Sequence, residues 1–297
     1  MNGVTEAALR FGSWRSLAGV VSTAGTDGAA PTGAPALLFL NAGLLHHVGP
    51  NRLHVNLARR LAGAGHVSLR FDLSGLGDSG PRRDELGRDE SMIGDTRDAM
   101  DSLAASHGVS RFVLFGICTG ADQAVKVALA DPRVVGAVLV DGYAYQTLPH
   151  LLRYYAARLL RPHSWWNVIT LRHPAFHLRG AGRHGAVVAA PDAGAADAGE
   201  EGVPRPGIYV RPPRAEAESR LRALVDRGCR LCVVFTPTVR VSSASQFGEM
   251  FPSLRGHPAI RVAYLRGSNH VFTLLASQEA LMRTVESWMA ESFPAQR

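Results

Sequence analysis

Short, fully apolar runs alternate along this chain with longer stretches whose apolar residues recur at helical spacing. PALLFL (35–40), RFVLFGIC (111–118) and VVGAVLV (134–140) are too short and too uniformly apolar for surface helices and read as buried strands, and HVSLRFDLSG (66–75) reads as another strand. Between them, NRLHVNLARRLAGAG (51–65) carries a helical apolar stripe and closes on Gly. DESMIGDTRDAMDSLAASHG (89–108) opens on acidic residues and also closes on Gly, and TGADQAVKVALADP (119–132) is stopped by Pro132. Upstream, RFGSWRSLAGVVST (10–23) has two β-like arms around a polar middle and predicts a hairpin. Such alternation predicts an α/β fold, with a mostly parallel central sheet flanked by helices. Binding and catalytic residues of parallel sheets gather beyond the carboxyl ends of the strands, so the loops after Leu40, Asp72, Ile117 and Val140 are the informative ones.

The rhythm breaks at residue 142. Residues 142–182 hold YYAARLL and WWNVITL, aromatic and aliphatic residues at helical spacing, and read as helices outside the sheet. Residues 183–207 are rich in Ala, Gly, Pro and Asp without an aromatic residue, and read as a disordered loop. The alternation resumes with AEAESRLRALVDRG (215–228), CRLCVVFTP (229–237), SASQFGEMF (243–251), IRVAYLRG (260–267) and LLASQEALMRTVESWMAESF (274–293). The predicted domain plan is therefore a core of residues 1–141 and 216–297, interrupted by a helical cap insertion over 142–215.

Composition narrows the class. With 46% hydrophobic residues in 297, the chain is long enough to bury a large core without disulfides. Three scattered cysteines suit a reducing compartment. The amino terminus lacks a signal-peptide pattern, and no run reaches the roughly 18 apolar residues of a membrane span, so a cytoplasmic protein is expected. The net charge of +7 would suit an acidic partner such as a phosphate-bearing coenzyme or an acidic carrier protein. It is more simply the mark of an arginine-rich composition in which Lys126 is the only lysine. No nucleic-acid-binding motif accompanies the charge, so nucleic acid is not an expected partner.

The candidate chemistry lies at VLFGICTGAD (113–122). A buried strand runs into Gly116-Ile117-Cys118-Thr119-Gly120 and a helix follows. That is the strand–turn–helix setting of the G-x-S-x-G nucleophile motif, with a thiol in place of the hydroxyl. Small flanking residues permit the sharp turn, and the helix amino terminus favours a thiolate. A base is supplied by His270 in LRGSNHVFT, after the last predicted strand. The loop 236–247, after CRLCVVF, contains no Asp or Glu, whereas Asp141 ends the strand beside Cys118 and can reach the imidazole. The expected triad is Cys118 as nucleophile, His270 as base and acid, and Asp141 as orienter, with Glu249 as the fallback acid. Oxyanion donors are expected from the Thr119 N–H and from Gly43, with Leu44 second.

At these residues the chain resembles the α/β-hydrolase fold over nearly all its length. The stretches NAGLLHHVGPNRLHVNLARRLAGAGHVSLRFDLSGLGDS (41–79) and GICTGA (116–121) are similar to hydrolases associated with exosortase systems. The resemblance puts the nucleophile at Cys118, the histidine at His270 and the oxyanion turn at Asn41 to Leu44. The usual acid position after CRLCVVF is empty, and Asp141 matches a rarer placement similar to that of pancreatic-type lipases. Thiol chemistry through an acyl-thioester favours an acyltransferase or thioesterase acting on small acyl substrates carried by coenzyme A or acyl carrier protein, in a biosynthetic pathway. Resemblance to cysteine-dependent dienelactone hydrolases keeps ester or lactone hydrolysis open. A non-catalytic binding protein on the same fold and a lyase using only His270 as base are further alternatives. No cofactor and no metal are expected, and a homodimer is compatible with this reading.

Other residues have a functional and a plain reading. His46, Tyr155 and Trp165 could contact substrate, or solvate a loop and pack a cap. His46 and His47 would need further ligands to hold a metal. Cys229-x-x-Cys232 has a redox spacing but enters a strand, which favours buried structural cysteines. Ser74 and Ser79 are explained by loop structure alone.

Overall fold

A computed structural model describes residues 3–25, 33–149, 211–238 and 241–294. Met1–Thr147 and Pro212–Arg297 pack as one compact unit. The expected cap (142–215) falls almost wholly outside the described residues, as do Tyr155, Trp165 and the 183–207 stretch; its first and last few residues belong to the unit that carries the sheet.

Eight strands, β1 (Val4–Phe11), β2 (Leu17–Ala24), β3 (Ala36–Phe39), β4 (Ser68–Phe71), β5 (Phe112–Ile117), β6 (Val134–Val140), β7 (Arg230–Phe235) and β8 (Ile260–Tyr264), form one sheet in the order β1-β2-β4-β3-β5-β6-β7-β8. The β1–β2 hairpin is antiparallel and joins β4 antiparallel, and every pair from β4 onward is parallel. The hairpin arms reach further out than RFGSWRSLAGVVST alone suggested, because β1 pairs along its whole length with β2 from Val4↔Ala24 to Phe11↔Leu17.

β3, β4 and β5 are buried at every position, which is why β3 and β5 read as near-continuous apolar runs rather than alternating ones, while β4 also buries Ser68 and Arg70. Successive residues still point to opposite faces. Leu38 and Leu114 join one core with α2 (Arg88–His107), α3 (Thr119–Ala130) and α4 (Arg214–Asp226). Leu37, Phe39, Val113 and Phe115 join the other, with α1 (Leu53–Gly63) and α6 (Leu275–Ser292). A short helix, α5 (Gln246–Met250), packs at the edge of the first core. Helices cover both faces of the central strands, whereas the edge strands β1 and β8 stay partly exposed.

The register then decides what meets there. Ile117 pairs with Val140, and Val140 pairs with Val234, so β5, β6 and β7 end nearly level. Cys118, Asp141 and Thr236 are each the first residue past their strand. Three chemically useful side chains thus line one edge because three apolar runs stop in step.

Candidate active site

Cys118 stands between β5 and α3 at φ 56°, ψ −119°, a left-handed backbone that a side-chain-bearing residue adopts at a cost. Its N–H is held by the Val140 carbonyl (2.9 Å) and its carbonyl accepts the Ala121 N–H (3.1 Å). The flanking glycines are required by close approach rather than by flexibility. A Cβ on Gly116 would collide with the Gly120 backbone, and one on Gly120 would lie 2.8 Å from the Asn41 carbonyl. The turn exposes Cys118, whereas Cys229 and Cys232 are buried.

His270 sits in the loop between β8 and α6. Asn269 closes a tight turn there, accepting the Thr273 N–H (3.0 Å), and Asn51 Nδ2 holds the Val271 carbonyl (2.8 Å). Phe272, fully buried, anchors the loop in the core. His270 Nδ1 lies 2.8 Å from Asp141 Oδ2. Asp141 also accepts the Thr236 N–H at Oδ1 (2.7 Å) and the Thr236 hydroxyl at Oδ2 (2.6 Å). Its own backbone is left-handed, at φ 51°. Glu249, the fallback acid, instead accepts the Thr147 hydroxyl at 2.7 Å. Thr236 occupies the place after β7 where an acid was sought, and it clamps the acid that β6 supplies. Sequence reasoning passed over Thr236, since a neutral hydroxyl carries no signal of partnership with a carboxylate 95 residues away.

The electrostatics follow from these contacts. The Asp141 hydrogen bond, reinforced by the contact with Cys118, raises the His270 pKa to about 10. The same imidazole holds the Cys118 thiol below its ordinary value against the opposing effect of burial, and the Thr119 N–H adds to this. The two shifts act in the same sense, each favouring the thiolate–imidazolium form of the pair. Burial does the reverse elsewhere, pushing Cys229 up to about 11 and Cys232 up to about 12, which leaves both inert as redox thiols.

Gly43, at φ +63°, donates its N–H to the Thr119 hydroxyl oxygen at 2.9 Å. Among the described residues the Leu44 N–H has no acceptor, and the Leu44 side chain is exposed. His46 does not face this turn with a free ring. Its Nε2 lies 3.0 Å from Asp78 and 3.4 Å from Asp72, with the His47 ring stacked on it at 3.8 Å. Asp72 is fully buried and accepts from Asn41 Nδ2 (2.8 Å), the His47 N–H and Nδ1 (both 2.7 Å) and the Asp78 N–H (3.1 Å). Burial pushes its pKa up, and these hydrogen bonds more than offset that. His46, His47, Asp72 and Asp78 have potential ligand atoms within 4.8 Å of one another. The buried pair, His47 and Asp72, already spends those atoms on hydrogen bonds that tie the 41–49 loop to the end of β4. Ser79 donates to the Asp72 carbonyl (2.6 Å) and accepts the Ala18 N–H (2.9 Å), while Ser74 bonds Asp95, so both serines build the loop.

A mostly parallel sheet covered on both faces, with a sharp strand–helix turn at the level of a His–Asp pair, defines the α/β-hydrolase fold. The family model for Serine aminopeptidase, S33 (Hydrolase_4) matches residues 33–186, and the chain belongs to this family of α/β hydrolases. Its departure from the family description is the thiol at position 118. None of the curated proteins matches the chain significantly. Among solved structures, an esterase domain from Rhodothermus marinus is similar at 18% identity and TM-score 0.52, covering 97% of this chain and 99% of that one. An α/β serine hydrolase without a lid from Xanthomonas campestris is similar at 14% identity and TM-score 0.52, covering 100% and 98%. An α/β hydrolase from Novosphingobium aromaticivorans is similar at 20% identity and TM-score 0.50, covering 96% and 99%. Likeness at these identities is a likeness of fold. No helix among the described residues is long and apolar enough to cross a membrane.

Proposed function

We propose that this hydrolase-family protein is a cysteine-dependent acyl-transfer enzyme, a thioesterase or acyltransferase, working through an acyl-thioester on Cys118. The observation that carries the reading is the exposed thiol at a helix amino terminus, lowered in pKa by an imidazole that Asp141 holds by its far nitrogen. The Cys118 thiolate attacks the acyl carbon, and the bond to the leaving thiol or alcohol breaks as that group takes the His270 Nε2 proton. An acceptor X–H then returns its proton to His270 and attacks the thioester, releasing the acyl product and the Cys118 thiolate. A thioester intermediate exchanges readily with thiols and amines, while water attacks it slowly. This is the chemical ground for transfer or thioester cleavage over simple hydrolysis.

Leu44 and Leu45 on the 41–49 loop, Val271 and Leu274 on the His270 loop, and Leu275 at the start of α6 are exposed and suit an apolar acyl group. Coenzyme A or an acyl carrier protein as the acyl donor is in keeping with the net charge of +7. Membership in a hydrolase family favours a second reading, ester or lactone hydrolysis by the same residues.

Intact-protein mass spectrometry after brief mixing with acyl thioesters and p-nitrophenyl esters tests the proposal. The expected result is an acyl mass on the wild type and none on Cys118→Ala, with an adduct that is discharged faster by amines or thiols than by water. Discharge by water alone would make the enzyme a hydrolase: a thioesterase where thioesters acylate it, an esterase where only p-nitrophenyl esters do. Equal turnover in wild type and Cys118→Ala would sink both.

A further inference from the structure

The Thr119 side chain bridges the two halves of the expected oxyanion site. Its own N–H helps to lower the Cys118 thiol pKa, and its hydroxyl oxygen accepts the Gly43 N–H at 2.9 Å. Gly43 is thus spent as a direct donor. A hydroxyl has one proton and two lone pairs, and the Gly43 bond fills one lone pair. Among the described residues no group accepts the Thr119 hydroxyl proton. A half-buried donor therefore stands unspent one residue from the thiol, polarised by the amide behind it.

We propose that the Thr119 hydroxyl is a catalytic oxyanion donor, relaying the Gly43 N–H onto the acyl oxygen as Cys118 attacks. The inference rests on the acyl-thioester reading of Cys118 and adds a residue to it. Gly43 holds the hydroxyl oxygen, so its proton points away from the 41–49 loop. No covalent step is added: the hydroxyl donates a hydrogen bond to the developing O⁻ and keeps its proton. The opposing idea is that Thr119 only plugs the site and must swing away to free Gly43.

Thr119→Val keeps the shape and removes the hydroxyl, and Thr119→Ser restores it. Two rates are read on each full-length variant: the burst of p-nitrophenol release from p-nitrophenyl acetate, and alkylation of Cys118 by iodoacetamide. Acylation builds an oxyanion, whereas displacement at the saturated carbon of iodoacetamide does not. Loss of one oxyanion donor costs on the order of 10²-fold in rate. The expected result is a burst slowed by about that factor in Thr119→Val and largely recovered in Thr119→Ser, with alkylation equal in all three. A Thr119→Val burst as fast as wild type, or faster, overturns the relay and supports the plug. A parallel fall in burst and alkylation also overturns it, since the thiol itself would then be disturbed. A wild type that is alkylated at Cys118 but never acylated refutes the acyl-thioester reading, and the relay with it. That outcome is separable from the others because it appears before any Thr119 variant is compared.

Discussion

Replacing Asp141 by Asn tests whether the carboxylate creates the thiolate. Position 141 has a left-handed backbone (φ 51°), which Asn tolerates better than most residues, so the substitution leaves the turn unstrained. The side chain must then face three donors with one oxygen: the Thr236 N–H, the Thr236 hydroxyl and the His270 ring. The amide N–H of Thr236 cannot reverse, so the Asn oxygen stays there. The Asn NH₂ faces His270 and forces Nδ1 to accept, which puts the imidazole proton on Nε2 and removes its capacity to take the thiol proton. The leading cause of the raised His270 pKa goes, and with it the leading cause of the lowered Cys118 pKa. Cys118 returns to an ordinary thiol, about 8.5, of which roughly 3% is thiolate at pH 7. A wild type whose thiol pKa is lowered carries more thiolate at that pH, with full ionisation, about 30-fold more, as the upper bound. The weaker intrinsic nucleophilicity of a low-pKa thiolate trims the rate difference at pH 7 to about threefold, and the difference widens as the pH falls. Iodoacetamide alkylation from pH 5 to 10, followed by mass spectrometry, measures it. The wild type should stay reactive well below the pH where Asp141→Asn has lost its thiolate, and Asp141→Asn should overtake it as both become fully ionised toward about pH 10. Superimposable profiles would refute the reasoning.

Gly120→Ala places a methyl 2.8 Å from the Asn41 carbonyl; separating the start of α3 from that turn should cost about 1–3 kcal/mol and slow acylation, read by thermal melting and the p-nitrophenol burst. Asp72→Asn leaves at least one of four donors without an acceptor in a fully buried site, at a cost of about 1–3 kcal/mol, and should lower the melting temperature by several degrees. Because the folded Asp72 pKa lies below its unfolded value near 3.8, its contribution is complete above that pH and is lost as pH falls through the folded value. Wild-type melting should therefore weaken more steeply than that of Asp72→Asn on acidification below about pH 4.

The strands, the helices and the α/β class were legible in the sequence because apolar periodicity is a local property and burial on both faces leaves a plain mark on it. PALLFL, RFVLFGIC and VVGAVLV could hardly be anything but buried strands, and the Gly116–Gly120 turn is marked by residue types a few positions apart. Cys118, His270 and Asp141 stand out as candidates in the sequence because each follows the end of an apolar run. What no local pattern contains is which strand ends stop level. The β5–β6–β7 register sets Asp141 beside Cys118 and under Thr236, and makes a threonine the clamp where an acid was sought. The spending of Gly43 on Thr119, and of His47 on Asp72, joins residues 76 and 25 positions apart. Such bonds carry no periodicity and no spacing rule. They exist because a packed sheet brings its loops within 3 Å, and only the tertiary structure decides which polar atoms then meet.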